Sequence, residues 1–303
     1  MQLDPDADML LRALREQPPL PLWMLTPEQI RAGVGAIPVP PLELAAVDEV
    51  SIAAEGRQIA LRVYEPPGDT PVGTVLFFHG GGWVMGSLDS HDALARQLCA
   101  SSRQRVVAVE YRLAPEHPFP AAQDDAWEAL HWGASRYAGP IAVSGDSAGG
   151  NLAATLCLRA RDQGGPTITA QALIYPVTDA RCESESYRAN LGQEMLSRES
   201  MQWFWNQYCP DPELALSPLA SPALADLTAL PPALVLAAEC DVLRDEVLAY
   251  GDQLEAAGVS VTRLFAAGLI HGFMRRLHHF RRARGFCDEI GEFLQRQLSG
   301  GAC

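Results

Sequence analysis

Residues 141–160 read as a short apolar strand, a turn crowded with glycine and then a helix, with no loop between them. The turn is Gly145-Asp146-Ser147-Ala148-Gly149-Gly150; it follows the strand pattern at 141–144 and precedes the helical pattern at 151–160. So tight a bend forces its central residue into strained backbone angles, and glycine on either side spares the adjoining strand and helix a collision. The same rhythm governs most of the chain. Short apolar runs at 74–78, 106–110, 141–144, 172–175, 233–238 and 259–265 alternate with helical patterns near 90–101, 120–133, 148–162 and 243–257. That alternation predicts βαβ units: an α/β fold with a mostly parallel central sheet and helices on both faces.

Two stretches depart from the rhythm. Residues 1–45 are helical and broken by proline at 18, 19, 21, 38, 40 and 41. Asp4 is placed to cap a helix starting at Pro5, with Met9, Leu10, Ala13 and Leu14 on one face. Thr26-Pro27-Glu28-Gln29 has the spacing of a capping box. The second departure lies between Pro176 and Pro231, where a helical insertion includes residues 201–208. Ahead of the alternating region, 47–53 and 59–64 are read as strands of a hairpin turning at Glu55-Gly56. At 303 residues the chain is long enough for two domains. The pattern favours one α/β domain spanning 1–303, with about 1–45 and about 180–218 as additions to it.

Composition removes several chemistries. All 23 basic residues are arginine, so a Schiff-base lysine, a Walker-type phosphate loop and a Ser-Lys pair are excluded. A net charge of −14 disfavours nucleic acid as a partner. Seven scattered cysteines (99, 157, 182, 209, 240, 287 and 303) form no C-x-x-C pair, and the expectation is reduced thiols in a cytoplasmic protein, without a metal site. The acidic opening residues are unlike a signal peptide, and no apolar stretch is long enough to imply stable membrane insertion.

Within this frame Ser147 is the candidate nucleophile, since the G-x-S-x-G turn between strand and helix presents its hydroxyl and the helix dipole favours negative charge beside it. A merely tight packing turn is the alternative. His79-Gly80-Gly81-Gly82-Trp83 follows the strand at 74–78. Glycines there let backbone amides approach a developing oxyanion, and the donors expected are the N–H groups of Gly81, Gly82 and Ala148. A phosphate cradle is the competing reading, disfavoured by the absence of lysine. Trp83 either lines the acyl site or packs the core.

The base must follow the serine in this order of residues. His271, His278 and His279 are the histidines downstream. His271 sits in a glycine-bounded loop, Gly268 to Phe273, after the strand at 259–265; His278 and His279 fall in an arginine-rich stretch read as solvated surface. For the acid, Asp241 follows the strand at 233–238, and Asp179, after the strand at 172–175, is the runner-up. His79 is read as a loop organiser, and His117, in a loop pinned by prolines, as a decoy for the base. Arg275, Arg276, Arg281, Arg282 and Arg284 are read as the solvated face of a C-terminal helix, with an anion-binding patch as the alternative.

His79–Trp83, the segment from Tyr111 to Pro120, Gly145–Gly150, the Asp241…Arg244-Asp245-Glu246 stretch and His271-Gly272-Phe273 together resemble the bacterial hormone-sensitive-lipase-like carboxylesterases, over nearly the whole chain and in order. The resemblance implies an α/β-hydrolase fold with a helical cap built from the two additions. It also implies hydrolysis of short- to medium-chain acyl esters without a cofactor or metal, by Ser147, Asp241 and His271 with the three amides as oxyanion hole. One departure is Val242, where the family commonly has proline after the acid. The expected partner is a small acyl ester, and a homo-oligomer remains open. Leu22, Trp23, Met24, Met201, Trp203, Phe204, Trp205 and Tyr208 either shape the substrate entrance or pack the cap. A non-catalytic binder, an amidase or peptidase, and an interaction protein are the competing classes; reaction with a fluorophosphonate separates the first from an enzyme.

Overall fold

The computed structural model describes residues 2–35, 41–189 and 193–300. Its centre is an eight-stranded sheet formed by β1 (Ala46–Ala54), β2 (Arg57–Glu65), β3 (Thr74–Phe78), β4 (Arg105–Glu110), β5 (Ile141–Asp146), β6 (Ile168–Ile174), β7 (Ala233–Cys240) and β8 (Val261–Ile270). The spatial order is β1-β2-β4-β3-β5-β6-β7-β8. The expected hairpin is present: β1 and β2 pair antiparallel, β2 pairs antiparallel with β4, and every later pairing is parallel.

Alternation along the strands sends side chains to two separate cores. Leu76 and Phe78 point to one face, with Val107 and Val109; Val75 and Phe77 point to the other, with Val106 and Ala108. The first face is covered by α4 (Ala121–Arg136), α5 (Ala148–Gln163) and α9 (Arg244–Ala256), the second by α3 (Asp92–Ser102) and α10 (Ala283–Leu298). Fully burying a Leu or Phe is worth about 1.5–3 kcal/mol, so two continuous apolar faces fix the strand register firmly.

The N-terminal segment begins with α1 (Pro5–Glu16), where the Asp4 carboxylate accepts the Asp6 N–H at 2.9 Å as expected. Its buried residues include Ala7 and Leu11; of the expected face, Leu10 and Leu14 pack against the core while Met9 and Ala13 are exposed. Charge contacts hold the start of the helix: Asp6 accepts the Arg281 N–H at 3.0 Å and its guanidinium at 3.1 Å, and Asp4 lies 3.4 Å from Arg282. Arg281 and Arg282 are exposed, as the solvated-face reading expects, and offset Asp6 and Asp4, but they precede α10 (Ala283–Leu298) and do not lie on it. The capping box at Thr26 is complete and opens α2 (Pro27–Ala32). Pro38 and Pro40 lie outside the described residues.

The insertion holds α6 (Glu185–Arg188), α7 (Arg198–Tyr208) and α8 (Pro212–Ala215). It meets the N-terminal segment through Arg15 and Glu194, 2.6 Å apart, and both lie over the carboxyl ends of the central strands. β8 runs five residues further than its apolar pattern suggested. Its pairing with β7 shifts register between Ala238↔Ala266 and Cys240↔Ile270, so the extra residues are absorbed in a bulge. The bulge is pinned at Gly268, whose N–H donates to Glu239 at 2.7 Å and whose carbonyl accepts from Asp4 N–H at 3.0 Å. What reads as a loop before His271 is therefore largely strand.

Candidate active site

Ser147 stands between β5 and α5 with φ 56° and ψ −118°. The strain is held by bonds on both sides of the bend: Ser147 N–H donates to Ile174 O at 2.9 Å, and Ser147 O accepts from Val177 N–H at 3.2 Å and Asn151 N–H at 3.1 Å. The bend also requires that Gly149 lack a side chain. A Cβ there would lie 1.9 Å from the Phe78 carbonyl oxygen, because α5 crosses β3 backbone to backbone.

The three residues nominated as nucleophile, base and acid, which come from three different strand ends, are brought into one line. His271 Nε2 is 2.9 Å from Ser147 Oγ, and His271 Nδ1 is 2.7 Å from Asp241 Oδ2. A carboxylate can only accept, so Nδ1 carries the proton that bonds to Asp241 and Nε2 is left to accept from the serine hydroxyl. Asp241 is buried, and its other oxygen accepts the Leu243 N–H at 3.0 Å. With Val242 in place of proline the acid loop is still anchored by that bond. The Tyr175 ring, 4.8 Å from the imidazole, closes the side of His271.

On the opposite side of Ser147, Gly81 and Gly82 have φ of 127° and 58°. The turn is closed by Val84 N–H and Met85 N–H donating to Gly81 O at 3.2 and 3.0 Å. Gly82 has no space for a side chain, since a Cβ would fall 2.3 Å from the Phe204 ring of α7. The amide of Ala148 is the first of α5, where helix geometry leaves N–H groups unused.

Two participants escaped the sequence reading. Asp146, the unspecified residue of the turn, is buried and accepts the Gly80 N–H at 2.9 Å, tying the bend to the glycine loop. Burial alone would raise its pKa, but His91, with Nε2 3.4 Å away, and the Gly80 amide outweigh that and hold it below the usual carboxylate value. His91 is itself buried in the wall of the cavity. Nothing in the spacing marks it; only the fold brings it to Asp146.

The other nominated histidines and acids lie elsewhere. His79 is buried with its ring 4.2 Å from Tyr111, and burial depresses its pKa to about 3, so it is neutral and organises the loop. His117 and His278 are exposed, and His279 approaches Asp6 O at 3.3 Å. Asp179 pairs with Arg181 at 2.5 Å. It lines a separate hollow beside Glu246, whose pKa burial raises to about 8.

A cavity of about 570 Å³ opens over Ser147 and His271. Leu22, Trp23, Met201 and Phe204 line it, so these four of the covering residues face the site. Trp83 does not line it: the indole is fully buried and stacks 4.1 Å from Tyr208, with Trp205 at 4.8 Å, making it the post on which α7 stands. Trp203 packs on Phe204, and Met24 is exposed. Arg275 and Arg276 are half-buried in the cavity wall, in a turn before α10 begins at Ala283. They are not the solvated helix face the sequence suggested, because β8 delivers them straight after His271.

A serine on a strand-to-helix bend, aligned with a histidine and a buried acid at the carboxyl edge of a mostly parallel sheet, defines an α/β hydrolase. A family model described as alpha/beta hydrolase fold matches residues 75–275, and the chain belongs to that family. It is 38% identical over 287 residues to a carboxylesterase, NlhH, of Mycobacterium tuberculosis, covering 89% of each chain. It is 41% identical over 257 residues to an ethyl acetate hydrolase of Pseudomonas putida, covering 80% of each. Among solved structures, a thermostable esterase from Pseudomonas putida superposes with a TM-score of 0.90 at 34% identity, over 98% of both chains. Among the described residues, no helix is long and apolar enough to cross a membrane.

Proposed function

We propose that this α/β hydrolase is a carboxylesterase that cleaves dissolved short- to medium-chain acyl esters through an acyl-enzyme on Ser147. The observation that carries the reading is the unbroken line of hydrogen bonds from Ser147 Oγ through His271 to Asp241, at 2.9 and 2.7 Å. His271 Nε2 takes the hydroxyl proton as Oγ attacks the ester carbonyl, and Asp241 holds the ring and stabilises the imidazolium. The amides of Gly81, Gly82 and Ala148 receive the negative charge on the carbonyl oxygen. His271 then returns the proton to the departing alcohol, leaving the acyl group on Ser147. Water deprotonated by the same nitrogen releases the acid and restores the enzyme.

The segments about 1–45 and about 180–218 act as a cap over this chemistry, with Phe204 and Met201 above the oxyanion site and Leu22 and Trp23 at the rim. A cavity of about 570 Å³ is in the range that encloses small ligands. The apolar rim at Trp23 and Met24 is a single turn, too short to anchor at a lipid surface. The test is a rate series over acyl-chain length for wild type and Ser147→Ala, with fluorophosphonate labelling of both. The expected result is turnover and labelling in wild type alone, best with butyrate-length esters. Esterase activity surviving in the variant would move the nucleophile elsewhere, and faster turnover of emulsified long-chain triglyceride would overturn the substrate class.

A further inference from the structure

The wall of the cavity carries more charge than ester hydrolysis requires, and its two signs are treated differently. Both carboxylates that line it are already engaged: Glu194 by Arg15 at 2.6 Å, and Asp146 by the Gly80 amide and His91. The two guanidinium groups are not. Among the described residues neither Arg275 nor Arg276 forms a salt bridge, whereas Arg281 and Arg282 in the same stretch pair with Asp6 and Asp4. Arg275 Nη1 is shielded from solvent and has no hydrogen-bond partner among the described residues.

Burying a guanidinium without a partner is costly, and placing a second beside it adds repulsion. Burial lowers the pKa of both, and for Arg276 the neighbouring charge of Arg275 lowers it further; Asp146 offsets part of this for Arg275. The groups facing the pair are thus Asp146, whose Oδ1 is taken by the Gly80 amide and His91, the buried Tyr175 hydroxyl and His271 in the same cavity wall. A ligand carboxylate entering the cavity would meet the solvent-reached part of these two half-buried side chains, and guanidinium forks suit that geometry.

We propose that Arg275 and Arg276 are specificity-determining residues that select esters carrying a free carboxylate, such as half-esters of dicarboxylic acids or acylated hydroxy acids. This inference rests on the ester-hydrolase reading of the same cavity. The local positive charge also works against the acidic surface of a chain with net charge −14, so the preference is made at short range and not by long-range attraction.

The test compares kcat/KM within two pairs of substrates. Monoethyl succinate is set against ethyl 4-methylpentanoate, where an isopropyl group replaces the carboxylate on the acyl side. Acetoxyacetate is set against isobutyl acetate for the alcohol side. In wild type the charged member of one pair is expected to be favoured by about tenfold, the size of one charge-assisted hydrogen bond, and the ratio should shrink in high salt. Arg275→Gln and Arg276→Gln should each lower that ratio by several fold. A ratio at or below one in both pairs overturns the inference, as does a ratio that both folded variants retain. Should a variant not fold, the wild-type ratio and competitive inhibition by succinate decide alone. Hydrolysis of the neutral esters only would leave the esterase reading standing; hydrolysis of none would remove both.

Discussion

The bend at Ser147 and the covering segments above it are built on opposite principles. At the bend, backbone packs on backbone: Gly149 lies against Phe78 O, Gly80 is tied to Asp146, and Ser147 N–H is bonded to Ile174 O. Few residue types satisfy such contacts, so the region is rigid and its sequence nearly dictated. The covering segments instead meet the main body through side chains. Arg31 donates from Nε to Val84 O at 2.8 Å and from Nη2 to Ala114 O at 2.9 Å, and pairs with Glu116 at 2.6 Å. Phe204 stands over Gly82, and Tyr208 stacks on Trp83. Many side chains could perform those tasks. Under the proposed function, the difference places the chemistry in the first region and the choice of substrate in the second.

The largest effect that would sharpen the contrast is Ser147→Ala, expected to lower kcat/KM by roughly a million-fold with an unchanged melting temperature. A matching loss of stability would mean the hydroxyl is structural. Next is Gly149→Ala, which must push α5 off β3; destabilisation beyond about 4 kcal/mol is expected, read as loss of soluble protein or a collapsed denaturant midpoint. Tolerance of that methyl group would show the bend to be softer than its contacts imply. Phe204→Leu, in the covering layer, should shift the preferred acyl chain to longer esters and change kcat/KM by about tenfold, leaving the fluorophosphonate reaction intact. Arg31→Ala removes four hydrogen bonds between α2 and the main body and should raise KM several fold with little change in kcat.

The smallest expected effect concerns Glu246, which sits outside both regions and accepts the Thr178 N–H at 2.7 Å. Its pKa is about 8 in the folded chain against an ordinary 4.5. Between those values the folded form keeps a proton that the unfolded chain has lost, so stability falls as pH rises through that window and levels off above it. Glu246→Gln keeps the acceptor and removes the slope. Its melting temperature should therefore gain on wild type by a few degrees between about pH 5 and about pH 9, and a constant difference would rule out the protonated carboxyl.

What could be read from the sequence follows the same division. The strands, the hairpin and the order of Ser147, Asp241 and His271 are legible because apolar runs and glycines report backbone demands directly. On α1 the apolar spacing finds Leu10 and Leu14, which pack on the core, but it says nothing of Asp6, which is held by Arg281. β8 was cut short because Gly268 reads as a turn and serves as a bulge. Arg275 and Arg276 looked like surface because composition treats five arginines alike, while the chain path sends two of them inward. His91 and Asp146 had no local signal, their pairing being a product of topology alone.

The cysteines offer a way to watch these two regions separately in solution. Cys182 and Cys209 lie in the covering insertion, while Cys157 and Cys287 lie on α5 and α10, which flank the sheet, and all four are buried. Burial holds Cys182 at about 12 and Cys209 at about 11, and raises Cys157 and Cys287 as well, so a folded molecule shows thiol reagents almost no reactive thiolate at these positions. Alkylation at each position then proceeds only as fast as its surroundings open. Mass-resolved labelling over time would clock the breathing of the roof independently of the unfolding of the walls.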